Sequence, residues 1–258
     1  MNDGEVHYRR EGAVAFVTFD RPAARNAMTW HMYERLAEAC AAIRADGEVR
    51  CAVLRGAGGQ AFVAGTDIGQ FLAFATGEDG IAYEERIEAY VGALESLPIP
   101  TLAVVEGFAI GGGLAIAAAC DLRIATPGTR FGVPIARTLG NCLSVANVAR
   151  LVAAVGVPLA KRMLLLADLI PAEDTLASGF VTGIVPPEAI DAEVEGICAR
   201  LVSHAPVTMR VGKEAIRRVV AAGVVSGDDL VLEAYASEDF HEGVHAFTQK
   251  RKAEWRGR

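Results

Sequence analysis

The stretch FAIGGGLAIAAACD, residues 108–121, decides the reading of this chain. Three consecutive glycines, Gly111–Gly113, run into the apolar segment Leu114–Cys120. Glycine loses more conformational freedom on folding than any other residue, so three in a row need a cause. One cause is backbone passing close to another group, and a tight helix–helix approach explains the triplet equally well. A helix that starts here carries unsatisfied N–H groups and the positive end of its dipole. A second glycine-rich loop, GAGGQAFVAGTDI at residues 56–68, has the freedom to turn an amide outward near Thr66. Two such amides converging on one point make an oxyanion hole. No acid or base stands beside the triplet, so any proton chemistry has to come from elsewhere in the chain.

Working outward, strands alternate with helical stretches. AVAFVTFD (residues 13–20) reads as a buried strand that ends before Pro22. Thr29 caps a helix from Trp30 to about Ala45, with Met32, Leu36, Ala39 and Ile43 on its buried face. RCAVLRGAG (50–58), TLAVVEG (101–107), DLRIAT (121–126) and FVTGIV (180–185) read as further strands. The core is therefore α/β with substantial parallel pairing. Residues 69–97 contain a glycine-rich break and an amphipathic helix from about Ile81, expected to form a lid or pocket wall. From about Ser203 two helical segments and no strand are expected. The organisation predicted is a core over residues 1–202 and a helical region over 203–258.

The chain has 258 residues, enough to bury a full core without disulfides or metals. A net charge of -7 argues against a general nucleic-acid binder, which needs a basic face. Five scattered cysteines form no CxxC pair, so neither a zinc site nor a redox motif is expected. The longest apolar run, LAIAAAC, is too short to span a bilayer, and the polar first residues carry no signal-like stretch. A cytoplasmic protein is expected. No P-loop pattern occurs, and no dinucleotide-binding glycine motif follows a strand.

The chain resembles the enoyl-CoA hydratase/isomerase, or crotonase, family. The resemblance rests on RPAARNAM, GAGGQAFVAGTDI, VEGFAIGGGLAIAAACDLRIAT, FGVP and the closing EGVHAFTQKRKAEW, in family order over nearly the whole length. It implies a crotonase-like spiral of ββα units with a C-terminal helical region, and assembly as a trimer or a dimer of trimers. It implies an acyl-CoA thioester as substrate, with coenzyme A part of that substrate and no permanent cofactor or metal. Thr66 and Gly112 match the two oxyanion-hole donors. Ala24 and Arg25 match the loop beside the nucleotide part of CoA, while Ala64, Asp67 and Ile68 match the pantetheine and adenine edge. Phe247 and Lys250 match C-terminal residues that reach the CoA of an assembled oligomer. Lys250 also suits the CoA phosphates on charge alone.

The pattern fails at the carboxylates. The resemblance puts family hydratase glutamates where this chain has Ala115 and Ile135, and a further acid of some isomerases where it has Leu143. None of these side chains handles a proton, so two-glutamate hydration is not expected. Asp67 is read as a loop organiser, Asp79, Glu84 and Glu85 as solvent-facing lid charges, and Glu106 as a strand-end residue; a lid acid such as Glu84 closing onto the site in place of the missing glutamates stays an open alternative. Arg137 is the candidate to hold a substrate carboxylate, with Thr138 and Asn141 weaker polar candidates. The expected function is enolate stabilisation on an acyl-CoA thioester. Decarboxylation of a malonyl-type thioester and nonenzymatic acyl-CoA binding, as a scaffold, are the alternatives.

Overall fold

Two strands followed by a helix recur along the chain and set the frame of the site. The computed structural model describes residues 3–224 and 226–257. The outermost residues of the expected 1–202 and 203–258 regions thus lie outside the described residues. In chain order the strands are β1 (Glu5–Glu11), β2 (Val14–Asp20), β3 (Cys51–Gly56), β4 (Thr101–Val105), β5 (Phe108–Ile110), β6 (Leu122–Ala125), β7 (Arg130–Gly132), β8 (Ile170–Pro171) and β9 (Gly183–Ile184). The helices are α1 (Trp30–Ala45), α2 (Gly77–Glu95), α3 (Gly112–Ala119), α4 (Ile135–Thr138), α5 (Val145–Leu165), α6 (Ala172–Thr175), α7 (Ile190–Ser203), α8 (Pro206–Ala221), α9 (Asp228–Tyr235) and α10 (Glu238–Thr248).

The larger sheet has the order β1-β2-β3-β4-β6-β9. Its β1–β2 hairpin is antiparallel and its other pairings are parallel. The smaller sheet, β5-β7-β8, pairs β5 with β7 in parallel and β7 with β8 antiparallel. Alternate side chains along a strand face opposite sides. In β3 and β4, Ala52, Leu54, Ala103 and Val105 enter the main core, while Cys51, Val53, Leu102 and Val104 meet Ile190, Val194 and Cys198 of α7. Both faces are covered, which is why these strands read as continuous apolar runs.

Helix α1 begins and ends where the sequence places it. The Thr29 hydroxyl accepts from the Met32 N–H at 3.2 Å, a cap worth about 1 kcal/mol. Other expectations need correction. The polar segment Glu5–Glu11 forms an edge strand in which Val6 alone is buried, so it carries almost no apolar pattern. The expected strand at 180–185 contracts to Gly183–Ile184. Helix α2 starts at Gly77, not near Ile81, because Asp79 Oδ2 accepts from the Ala75 and Thr76 N–H groups. Its glycines do not mark a break. A Cβ on Gly77 would meet the Leu232 backbone at 2.8 Å, and one on Gly80 would overlap Tyr235, so both let α9 lie close.

The C-terminal region holds three helices where two were expected. Ser237 starts a new one, accepting from the Phe240 N–H at 3.0 Å. Helix α10 rests on the turn at residues 68–73 and on α4, where Gly243 lets the Leu139 backbone approach. Helix α8 has no buried residue. Among the described residues, no helix is long and apolar enough to cross a membrane.

Candidate active site

Each glycine of the triplet has its own cause: backbone approach at Gly113, side-chain hydroxyls at Gly112 and a positive φ at Gly111. A Cβ on Gly113 would overlap the Val63 carbonyl of the second glycine-rich loop. Gly111 takes φ 53°, and its N–H donates to the Gly132 carbonyl at 2.9 Å. The chain thus turns from β5 into α3 with the first amides of the helix facing outward. A Cβ on Gly112 would lie 2.5 Å from Tyr33 Oη and 2.9 Å from Thr66 Oγ1, so the two loops meet at this point. On the facing loop, the Met28 N–H donates to the Gly65 carbonyl and the Asp67 N–H to the Met28 carbonyl, both at 2.9 Å. These bonds clamp the residues on either side of Thr66. Neither the Thr66 nor the Gly112 N–H has an acceptor among the described residues.

Three hydroxyls stand behind these amides. Tyr33 Oη and Thr66 Oγ1 are 2.9 Å apart, and Tyr83 Oη donates to the same Oγ1 at 3.2 Å. Burial pushes both phenols well above their ordinary pKa, so they stay neutral. A buried tyrosine hydroxyl requires a partner. Here the shared partner fixes the Thr66 side chain and so the loop that carries its amide.

The amides open onto a cavity of about 380 Å³. Ala115, Ile135 and Leu143 give it an apolar wall. Asp67 lines it too, but its Oδ2 lies 2.8 Å from Arg21 Nη2 and its Oδ1 accepts from the Gly69 N–H at 3.0 Å. That carboxylate organises its loop. Glu84 corrects the solvent-facing reading of α2: it is 5% exposed and lines the cavity. Its Oε1 accepts from Tyr235 Oη at 3.0 Å and its Oε2 from the Ser144 N–H at 2.8 Å. Burial raises its pKa, opposed by hydrogen bonds from Ser144, Tyr235 and Asn147. Asn141 Nδ2 donates to Tyr235 Oη at 3.2 Å, and its Oδ1 is buried with no partner among the described residues.

Arg137 does not reach the cavity. It is exposed on the short helix α4, which turns Ile135 and Thr138 inward instead. The Thr138 hydroxyl is occupied with the Pro134 carbonyl at 3.0 Å. Glu106 pairs with Arg55 at 2.6 Å, outside the cavity lining. Ala24, Ala64, Asp67 and Ile68 all line the cavity. Phe247 lines the cavity of its own chain because α10 folds back over the turn at 68–73. Arg25 and Lys250 are exposed and lie outside the lining. Among the described residues no cluster of three metal-ligating side chains occurs. Sequence reasoning missed Tyr33, Tyr83, Tyr235 and Asn147. The available signal was weak: a tyrosine on the buried stripe of α1, between Met32 and Leu36, needs a polar partner inside.

Two amides with no acceptor among the described residues, between paired glycine loops on a ββα frame, are an arrangement that can hold an anionic oxygen. Residues 9–258 match the family described as enoyl-CoA hydratase/isomerase. The chain is 34% identical over 258 residues to a short-chain-enoyl-CoA hydratase of Clostridium acetobutylicum, covering 98% of each. Among solved structures it is similar to an enoyl-CoA hydratase from Mycobacterium avium subsp. paratuberculosis K-10, with TM-score 0.82, 30% identity, and 97% and 98% of the two chains covered. It is also similar to a methylmalonyl-CoA decarboxylase in complex with 2-nitronate-propionyl-CoA, with TM-score 0.89, 26% identity and 98% of each chain covered. The chain belongs to the enoyl-CoA hydratase/isomerase family, within the crotonase superfamily of enzymes.

Proposed function

We propose that the protein converts an acyl-CoA thioester through an enolate whose oxygen is held by the Thr66 and Gly112 N–H groups. The observation that carries this reading is that both amides lack an acceptor among the described residues and face a cavity whose residues 115 and 135 are apolar. Preorganised backbone donors stabilise charge as it develops and need no side chain for it. Ala115 and Ile135 stand where the family resemblance puts the hydratase glutamates, so water addition lacks its usual acid and base. Coenzyme A enters as part of the substrate. Ala24, Ala64, Asp67, Ile68 and Phe247 form its cavity-side contacts, and Arg25 and Lys250 its outer, phosphate-facing ones. Buried free cysteines suit a reducing compartment such as the cytoplasm.

A second reading, decarboxylation of a malonyl-type thioester, is favoured by the same apolar wall. Loss of CO2 generates the enolate without a base, and an apolar surround disfavours the ionised carboxylate of the bound substrate. Arg137 has no part in it. A panel of crotonyl-, malonyl- and methylmalonyl-CoA, followed by product mass, tests both readings. The expected outcome is slow or absent crotonyl-CoA hydration with turnover of a carboxylated thioester. Rapid crotonyl-CoA hydration overturns the account of residues 115 and 135. Tight binding with no turnover of any thioester favours a nonenzymatic acyl-CoA-binding role.

Helix α8 supports assembly with further copies of this chain, as a trimer or a dimer of trimers. Ile216 and Val219 share a face of it and are 68% and 77% exposed. Sedimentation equilibrium is expected to give a multiple of 27.2 kDa that falls toward one chain in an Ile216→Asp, Val219→Asp double variant. A parent that sediments as a single chain at every concentration overturns the assembly.

A further inference from the structure

We propose that Glu84 is the proton-transfer residue of this site and that it exchanges its proton with solvent through a second cavity behind it. The proposal rests on the enolate reading above and supplies the proton carrier that reading lacks. Glu84 belongs to the linings of two cavities at once. One is the 380 Å³ cavity that holds the Thr66 and Gly112 amides. The other, of about 300 Å³, lies on the far side of α2 and is lined by Glu85, Glu88, Ser144, Ser226 and Asp228 together with Glu84. Glu84 therefore stands between the reaction chamber and a second cavity, the vestibule, whose acids Glu85, Glu88 and Asp228 sit among the apolar Ile81, Val145, Ala146 and Val231.

Of the carboxyls lining the inner cavity, Asp67 is committed to Arg21 and the Gly69 N–H. Among the described residues Glu84 makes no ion pair, and its partners are the Tyr235 hydroxyl, the Ser144 N–H and the Asn147 side chain. Those partners hold the carboxyl in one orientation without fixing its charge. The groups around it are Tyr33 from α1, Tyr83 beside it on α2, Cys142 and Asn141 from the segment before α5, Asn147 from α5 and Tyr235 from α9. The nearest cation, Arg150 on α5, donates to Asn147 Oδ1 at 2.6 Å and pairs with Glu88 of the second cavity at 2.7 Å, so it reaches Glu84 only through those partners, and the donors on the carboxyl itself are neutral. Burial shifts its pKa upward, in favour of the protonated form, against the hydrogen bonds from Ser144, Tyr235 and Asn147.

The step balances without a co-reactant. In the forward sense the α C–H bond of the thioester breaks and the proton passes to a Glu84 oxygen. The C–H electron pair becomes the enolate C–C π bond, and the carbonyl π pair moves onto the oxygen held by Thr66 and Gly112. In return, the Glu84 O–H bond breaks, a C–H bond forms and the carbonyl is restored. When loss of CO2 has made the enolate, the return step alone operates, and water in the vestibule reprotonates the carboxylate.

The test is exchange of α-protons into butyryl-CoA and propionyl-CoA in D2O, followed by mass, with binding measured in parallel by calorimetry. The parent is expected to exchange. Glu84→Gln, close to isosteric, is expected to bind both thioesters like the parent and to lose ~10²–10⁴-fold in exchange rate. Tyr235→Phe removes a donor to the carboxylate, so the exchange pH profile is expected to move upward. Ser226→Tyr, at the vestibule mouth, is expected to slow exchange with unchanged binding. Infrared difference spectra give a readout independent of turnover: a protonated-carboxyl band that titrates above the ordinary Glu value of about 4.3 and is absent from Glu84→Gln. Parent-like exchange in Glu84→Gln overturns the role of Glu84 and leaves the enolate reading standing. Parent-like exchange in Ser226→Tyr overturns the vestibule route. A parent that binds both thioesters without exchanging overturns the role of Glu84, and one that binds neither overturns the enolate reading itself.

Discussion

The two walls of the cavity are made of different material. The wall of Thr66 and Gly112 is backbone: the groups proposed to act there are amides, and at Gly112 and Gly113 it leaves no room for a Cβ. The opposite wall, from α2, the segment before α5 and α9, is side chain: Glu84, Tyr235, Ser144 and Asn141 meet across 151 residues of sequence. A backbone wall tolerates almost any neighbouring side chain and fails at a single methyl group. A side-chain wall can be rewritten residue by residue, and carboxylates can leave one position while another remains elsewhere. Ala115, Ile135 and the buried Glu84 line the same cavity.

The sharpest way to break this contrast is one methyl on the backbone wall. Gly112→Ala places a Cβ 2.5 Å from Tyr33 Oη and 2.9 Å from Thr66 Oγ1. Either the hydroxyls or the amide must give way. Losing one oxyanion donor is expected to lower turnover by about 10²–10³-fold. Ala115→Ser, on the apolar wall, is expected to change turnover by less than about tenfold. Steady-state rates on the same thioester decide it. Equal effects at 112 and 115 would remove the distinction between the walls.

The backbone wall was legible in the sequence and the side-chain wall was not, for a physical reason. A position that excludes a Cβ, as at Gly56, Gly112 and Gly113, or that takes a positive φ, as at Gly58, Gly59, Gly65 and Gly111, leaves a glycine that is visible without knowing what it touches. A buried carboxyl leaves no such mark. Glu84 sits in YEERIE, where solvated charges on a helix are the ordinary reading, and its burial depends on α9 arriving from far along the chain. Gly77 and Gly80 were the trace of that approach, but between polar residues they read as a break. Arg137 erred the other way: nearness in sequence to Ile135 suggested the cavity, while the turn of α4 directs it outward. The strands of the parallel sheet were readable because both faces are buried. The edge strand β1 was not, because Val6 is its one buried side chain.

A smaller effect tests the electrostatics of the side-chain wall. Glu84 has a pKa raised on folding, so the folded protein holds its proton where the unfolded chain has released it. Its contribution is fully present below the unfolded value of about 4.3. It is lost as pH rises through the folded value. Glu84→Gln carries no such loss. The melting temperature of Glu84→Gln relative to the parent is therefore expected to rise between pH 4 and pH 8. For a chain of this size the change is about 2–4 °C for each kcal/mol. Calorimetric melts over that range settle the sign, and a difference that is flat with pH removes the buried, proton-holding carboxyl.

The smallest expected effect lies outside both walls, at the mouth. Lys250 is exposed at the end of α10, beyond Phe247, which lines the cavity. Its proposed partner is a CoA phosphate, which an acyl-pantetheine thioester lacks. An exposed single ion pair contributes about 0.2–1 kcal/mol, so Lys250→Ala is expected to weaken CoA-thioester binding by only about 1.4–5-fold. The acyl-pantetheine compound is expected to bind parent and variant alike, because the thioester end depends on the amides and the cavity. The loss should also shrink at high salt, since exposed charges are screened. Alanine keeps a Cβ at this left-handed position, φ 54°, so the comparison isolates the charged stem from backbone strain. Calorimetry with both ligands at two ionic strengths measures the difference. Equal weakening of the two ligands would place the effect of Lys250 in the packing of α10 instead, and tie the mouth to the side-chain wall.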